Sequence, residues 1–507
     1  MRRLAPVVAV LALLTGFVTA ATPPIDPQAL LDHIKILSAD ELKGRGNGTE
    51  GLERAGDYVA AQFKAAGLRP GGTSGDWFQP FELNAGLAVG EGNELVIRAG
   101  GRSARLSLGS SYFPLSVTPS ESLARPSRNL DNVPLVFAGY GISAPALKYD
   151  DYAGLDVKDK AVLIFSHEPQ ENRRDSRLNG AQPLRETSLY AKALAARTRG
   201  ARALLVVSDP THEMDQADYR MFVIEADAED HGIPVLRISR ADVAPLLEIW
   251  ALDPVAAEID RDLTPRSRAL AEAAIDYDEF LSTNRRTVRN VVGILPGADE
   301  ARDEEAIVLG AHYDHVGLGG RFSASPEQTG EIHNGADDNA SGVASIIEVA
   351  RAAAADRTRF PRSLVFIAFA GEERGLFGSA YYAANPTIPS MVAMINLDMV
   401  GRSNGRVEVG GLNEVPSLAR DVDAAAKVAG LDVRRGGPGA GRSDDSSFVD
   451  KNIPALHFFT GFHADYHRPS DDWNRIDAPG TARVATLALE LAARIAARND
   501  RPQFLNR

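Results

Sequence analysis

Short, wholly apolar runs recur along this chain, and in its C-terminal half several of them end in acids or histidine. The plainest is Ser363-Leu364-Val365-Phe366-Ile367, bounded by Pro361 and Gly371 and followed by Glu372-Glu373. A run this short, with no polar alternation, reads as a strand covered on both faces. Such strands belong to parallel sheets flanked by helices, because that arrangement buries both faces of a sheet. Burying an unpaired charge is costly. The two acids at this strand end are therefore either a solvated pair on a loop or a pair held for a cation and a reaction.

The neighbouring segments repeat the strand–loop–helix pattern. Asn290 to Leu295, Ala306 to Gly310, Val392 to Leu397 and Ala455 to Phe459 read as strands. Gly342 to Ala354 is a helix with Val343, Ile346, Ile347 and Ala350 on one face and Ser341 as its N-cap. Thr481 to Ala497 is a closing helix. This alternation implies an α/β fold, a mostly parallel mixed sheet flanked by helices, with sites outside the carboxyl ends of the strands. Nearer the start, Glu50 to Ala66 is helix-like, and Glu94 to Arg98 suggests a brief strand. Strands at 133–137, 161–165, 203–207 and 233–236, with a helical stretch at 186–199, form a block without any cluster of His and acids. It reads as a second, smaller α/β unit. The expected division is 1–20 as a leader, 21–131 and 277–507 as the main domain, and 132–276 as an insertion.

Composition narrows the setting. The 507 residues include 55 Lys and Arg against 68 Asp and Glu, a net charge of −13, which argues against a nucleic-acid partner. Arg2 and Arg3, the apolar run Leu4 to Val18 and the small residues Val18-Thr19-Ala20 have the form of a secretory signal. No other stretch reads as membrane-spanning, so no stable membrane insertion is expected after cleavage. The absence of Cys leaves an exported chain to be stabilised by its core and by metal, which suits a bacterial periplasm or the medium.

Six of the ten His lie between His312 and His467. Strand ends and loops there supply His312-Tyr313-Asp314, Asp337-Asp338-Asn339, Glu372-Glu373, Asp398 and Tyr466-His467. Each alone has an ordinary reading as a hydrogen-bonded pair, a helix cap, a turn or a surface residue. Gathered at successive strand ends they would repel, and cations are the simplest compensation. Two His with three carboxylates suit zinc better than magnesium.

The motifs Gly-Ala-His-Tyr-Asp, Gly-Ala-Asp-Asp-Asn-Ala-Ser-Gly, Gly-Glu-Glu-Arg-Gly-Leu-Phe-Gly-Ser, Asn-Leu-Asp-Met-Val-Gly and Asp-Tyr-His resemble the five metal-site motifs of the M28 zinc peptidases. The resemblance runs from about Asn290 to the C-terminus and takes in His33 to Gly67. The middle block, with Gly139-Tyr140-Gly141-Ile142 and Tyr149-Asp150-Asp151-Tyr152, resembles the protease-associated (PA) domain that many members carry. The resemblance implies a zinc-dependent exopeptidase of the leucyl aminopeptidase type, acting on peptides. His312 and Asp398 would bind one Zn2+, Glu373 and His467 a second, and Asp338 would bridge them, with a cis peptide to Asn339. Asp314 would orient His312, Glu372 would be the general base towards a zinc-bound hydroxide, and Tyr466 would hydrogen-bond the developing oxyanion. The chain has Ser443-Asp444-Asp445 where some members have Ser-Asp-His, so specificity does not transfer.

Rival readings are weaker. Gly401-Arg402-Ser403-Asn404-Gly405 matches a serine-hydrolase elbow, but the alternating Arg406-Val407-Glu408-Val409 that follows reads as a strand, not the required helix. A carboxypeptidase would need cations for the substrate carboxylate, for which Arg402, Arg434, Arg435 and Arg442 are candidates. A non-catalytic peptide-binding relative would have lost ligands, and none is missing.

Overall fold

The computed structural model describes residues 25–116, 128–171, 173, 175–178, 185–210, 232–320, 322–325, 328, 330–436 and 443–505. The expected leader and Arg442 lie outside them. Two sheets dominate. The larger is nine-stranded and mixed. Its centre is Glu305–His312, parallel to Ser363–Phe369 on one side and to Ser390–Leu397 on the other. Ala455–Phe459 continues the parallel run beyond Ser390–Leu397. Leu281–Leu295 and Arg406–Gly410 add antiparallel neighbours.

The uniform apolarity of the central strands has the expected cause. In Ser363–Phe369 every residue is buried. Leu364, Phe366 and Ala368 pack into one core with Val343, Ile346 and Leu487, while Val365, Ile367 and Phe369 pack into another with Tyr382 and Phe448. Helices therefore cover both faces. Gly342–Ala355 and Ala478–Ala497 lie on the first, together with Pro27–Leu37 and Glu50–Ala65, whose N-caps are Asp26 and Thr49. Phe377–Ala384 and Asp445–Asp450 lie on the second.

The second sheet is eight-stranded, with its own core around Leu135, Leu163, Leu205 and Ile275. It is larger than the sequence suggested. Glu94–Ala99, Arg102–Leu106 and Tyr112–Ser116 belong to it, ahead of the expected boundary at residue 132. Arg268–Glu279 closes it beyond Leu263. Of these, Arg102–Leu106 was obscured because it is largely exposed, with only Leu106 buried. The chain enters this unit from Phe78–Val89 and leaves it into Leu281–Leu295, and these two strands pair antiparallel. At the crossing, Asn93 donates to the carbonyls of Gly90 and Phe280 and accepts from the Phe280 amide. Among the described residues no helix is long and apolar enough to cross a membrane.

Candidate metal centre

Parallel register brings the strand ends level. Ala311 and His312 stand beside Ala368 and Phe369, and Gly310 stands beside Asn396, two residues before Asp398. His312 closes its strand, Glu372-Glu373 follow the next, and Asp398 follows the third. Asp338 comes from the turn that opens helix Gly342–Ala355, where the Asp338–Asn339 peptide is cis. His467 comes from the loop after Ala455–Phe459.

The structure brings these residues together. His312 Nε2 lies 3.2 Å from Asp338 Oδ1 and 3.3 Å from Asp398 Oδ1. His467 Nε2 lies 3.1 Å from Asp338 Oδ2 and 3.0 Å from Glu373 Oε2. Asp338 thus offers one oxygen to each histidine. Asp337 turns elsewhere: Oδ1 accepts from the Gly401 amide at 2.6 Å and Oδ2 lies 3.1 Å from His463. Nitrogen and oxygen ligands about 2.0–2.2 Å from a tetrahedral zinc stand about 3.3–3.5 Å from one another. The observed separations of 3.0–3.3 Å lie at or just below the lower end of that spacing. Among the described residues three groups of side chains could hold a metal: His312, Asp338 and Asp398, and His315, Asp338, Glu373 and His467, which share Asp338, and His312, Glu372 and Glu373.

The outer imidazole nitrogens are fixed by carbonyls. His467 Nδ1 donates to the Phe322 carbonyl at 2.6 Å, and His312 Nδ1 to that of Asp314 at 3.2 Å. Carbonyls only accept, so Nε2 is the nitrogen turned to the carboxylates. Burial alone would lower both imidazoles. The surrounding carboxylates outweigh it, holding His312 well above its usual range and His467 up to about 11. Positive charge is stabilised strongly here.

The adjacent acids diverge. Burial pushes the Glu372 carboxyl well up, relieved by His312 and reinforced by Glu373, Asp398 and Asp444. Glu373 resists the same burial because His467 and His315 face it, and it is held down at about 2. Glu372 Oε2 stays 3.9 Å from His312 Nε2.

Asp314 does something other than expected. Its carboxylate is 3.9 Å from His312 Nδ1, farther than its own carbonyl. Instead Oδ1 accepts from the Glu372 amide at 3.2 Å, and Oδ2 from the Glu373 amide at 3.3 Å and Asn47 at 2.6 Å. It holds the turn that carries both acids. Tyr466 stacks on His467 with ring centres 3.9 Å apart. With Met399, His457, Phe459 and Phe462 it walls a cleft of about 390 Å³ whose other wall is the acid–histidine cluster. Among the described residues, no Arg or Lys lines this cleft.

The arginine candidates for a substrate carboxylate are placed otherwise. Arg402 pairs with Asp465 at 3.3 Å and Asp471 at 3.0 Å. Arg434 and Arg435 lie on the outermost strand, Asp432–Arg435. Ser403 is buried, donates to the Arg406 carbonyl and precedes the strand Arg406–Gly410, so it forms no elbow.

Three further residues escaped sequence reasoning. Asp471 Oδ2 accepts from the amides of Asp337 and Asp338 at 2.9 and 3.1 Å. Arg45, 1 % exposed, donates to the carbonyls of Tyr313, Asn334, Gly335 and Leu37. His315 Nδ1 lies 2.7 Å from Glu373 Oε1. Only the last had a local signal, one residue beyond the His-Tyr-Asp motif.

Parts of this chain are similar to known proteins. Residues 290–492 match the model of peptidase family M28, and residues 132–246 match the PA domain. A probable zinc metalloprotease of Leptosphaeria maculans is 29% identical over 214 residues, 34% of this chain and 46% of that protein. Leucine aminopeptidase 1 of Trichophyton rubrum is 35% identical over 127 residues, 24% of this chain and 31% of that protein. The chain thus spans less than half the length of these curated relatives. In fold it is similar to an aminopeptidase from Aneurinibacillus sp. strain AM-1, with TM-score 0.57 and 22% identity over 95% of this chain and 96% of that one. A zinc aminopeptidase from Bacillus subtilis gives TM-score 0.54 and 21% identity over 94% and 95% of the two chains. The chain is therefore similar to peptidase family M28 over residues 290–492 and to the PA domain over residues 132–246.

Proposed function

We propose that this chain is a di-zinc aminopeptidase that removes N-terminal residues from peptides. The observation that carries the choice of substrate end is the cleft wall. It presents Asp338, Glu372, Glu373 and Asp398 and, among the described residues, no Arg or Lys. A free substrate carboxylate would need a cation there besides the zinc ions, and the described lining offers none, which disfavours the carboxypeptidase reading. The relatives' names, leucine aminopeptidase and zinc metalloprotease, support the same class.

In this reading His312, Asp398 and Asp338 would hold one zinc, and Glu373, His467 and Asp338 the other. When bound, zinc lowers the pKa of a coordinated water and polarises the scissile carbonyl. Glu372 receives the water proton at its carboxylate and delivers it to the leaving amine. It is suited to this because it stays off both ligand sets while facing the same cleft. The Tyr466 hydroxyl donates to the developing oxyanion. Phe459 and Phe462 pack against the substrate's first side chain. The unit with the second sheet would be an insertion in the peptidase domain, and a leader at 1–20 would direct export to a periplasm or the medium.

The test pairs two variants on a panel of aminoacyl-anilides with metal analysis. Glu372→Gln should keep zinc and lose about 10²–10⁴-fold in kcat. Glu373→Gln should lose zinc. Unchanged turnover in Glu372→Gln with zinc retained would refute the assignment of the base.

A further inference from the structure

His315 is a buried histidine that the proposed mechanism leaves without a role. Its side chain is wholly buried, and Nδ1 lies 2.7 Å from Glu373 Oε1. Glu373 turns its other oxygen, Oε2, to His467 at 3.0 Å. A carboxylate that serves as a metal ligand is ionised and can only accept, so His315 Nδ1 is the donor of this hydrogen bond. An Nδ1 that carries a proton is not a metal ligand. The same atom is 4.0 Å from Asp338 Oδ2, beyond hydrogen-bond reach. Nε2 is buried with no partner.

The ring also touches the other elements of the centre. A Cβ on Gly335 would stand 2.5 Å from the His315 ring, so the imidazole packs against the backbone that leads into Asp338. Edge to face, it meets the His467 ring with centres 5.4 Å apart. Its own backbone is anchored, the amide donating to the Arg45 carbonyl at 3.2 Å. A rigid ring thus stands against the segments bearing Asp338, Glu373 and His467, the residues proposed to hold one of the two zinc ions.

We propose that His315 is a positioning residue for that zinc. By donating to Oε1 from a fixed ring it pins the Glu373 carboxylate with Oε2 towards His467 and Asp338. The proposal rests on the di-zinc reading above. Partners that orient a metal-binding carboxylate typically change metal affinity about 10–100-fold.

The experiment measures zinc affinity by chelator competition, and the melting temperature of the metal-free protein, on the full chain and two variants. His315→Asn keeps a donor near the position of Nδ1, whereas His315→Leu keeps bulk alone. The expected result is two zinc ions on the wild type, with one of them about 10–100-fold weaker in His315→Leu and restored to within a few-fold in His315→Asn. The metal-free melting temperature of His315→Asn should match the wild type, which separates positioning from folding. Zinc curves for His315→Leu that overlay the wild type overturn the proposal. So does a loss of equal size in His315→Asn, which would mark the imidazole as a ligand itself. If His315→Leu does not fold, His315→Asn decides alone: near-native affinity supports positioning, and loss overturns it. A wild-type chain that binds no zinc overturns the di-zinc reading, and this proposal with it.

Discussion

Arg45→Met should destabilise the protein far more than an ordinary buried substitution, and more without zinc than with it. Arg45 donates to Tyr313 O at 2.8 Å, Asn334 O at 2.7 Å, Gly335 O at 2.9 Å and Leu37 O. These carbonyls belong to three separate segments: the end of the first helix, the residue after His312, and the run leading into Asp338. The guanidinium is therefore the common tie of the centre. Burial lowers its pKa to about 10, and Asp338, Asp314, Asp471 and Glu373 oppose that fall, so it stays charged at neutral pH. Methionine fills similar volume but leaves four carbonyls without donors and four carboxylates without this cation. Stripping the partner from a buried ionic group costs about 3–5 kcal/mol. At about 2–4 °C per kcal/mol for a domain of 150–250 residues, the melting temperature should fall by about 10 °C in chelator. Bound zinc replaces the missing positive charge but not the missing donors, so the fall should be smaller in zinc. Calorimetry of the full chain in both conditions measures this. A fall below about 2 °C in chelator would refute the argument. An equal fall in both conditions would refute its electrostatic half.

The other expectations concern the same centre and the second unit. Asp314→Asn should lower kcat about 10–100-fold, because an amide offers one acceptor where two peptide N–H groups and Asn47 now converge; steady-state kinetics beside zinc analysis will show it. Zinc loading at pH 7 should release at least two protons per chain, since the carboxylates hold His312 and His467 above their usual range, His467 near 11, without metal, and Glu372, pushed up by burial, adds to the count. Titration calorimetry in buffers of different protonation enthalpy counts them, and no release would contradict the charge balance. In the second unit, burial lowers Lys192 to about 8 from its ordinary 10.5. Between those values the unfolded chain alone holds the proton. The stability of wild type relative to Lys192→Met should therefore rise by about 3 kcal/mol from pH 8 to about 10.5 and stay flat below pH 8.

What the sequence made legible was whatever has a local pattern. The central strands announced themselves by uniform apolarity, and the helices Glu50–Ala65 and Gly342–Ala355 by period and caps. The candidate site was readable because its residues sit at the ends of neighbouring parallel strands and in the loops beside them, so motifs far apart in the chain meet along one edge of the sheet. Features made by distant pairs were not readable. Arg45 meets Gly335 across 290 residues, and nothing around Lys43-Gly44-Arg45 reports it. Leu281–Leu295 was seen only in its apolar second half, because Arg285 and Arg286 lie where the strand runs out as an exposed ribbon. Asp314 shows a finer limit. Its place two residues after His312 marks it as a partner of the centre, but residue type does not say whether the carbonyl or the carboxylate faces the imidazole.

That distinction bears on why two adjacent acids can share one cleft. Successive side chains on an extended strand point to opposite faces, and so do successive amides. Glu372 and Glu373 break both rules: their two amides converge on the single carboxylate of Asp314, and both side chains line the cleft. The chain leaves strand geometry at Gly371, with φ +78, a conformation that favours glycine. Asp314 then captures the turned backbone. Once turned, the two acids meet different neighbours: Glu373 has His315 and His467 at hydrogen-bond distance, while Glu372 has only His312 at 3.9 Å and three other carboxylates around it. In the proposed mechanism the division of labour between a zinc-holding acid and a proton-moving acid would thus depend on a third acid outside both ligand sets. A chain that kept Glu372-Glu373 and lost Asp314 would keep the motif and lose the arrangement that gives it two roles.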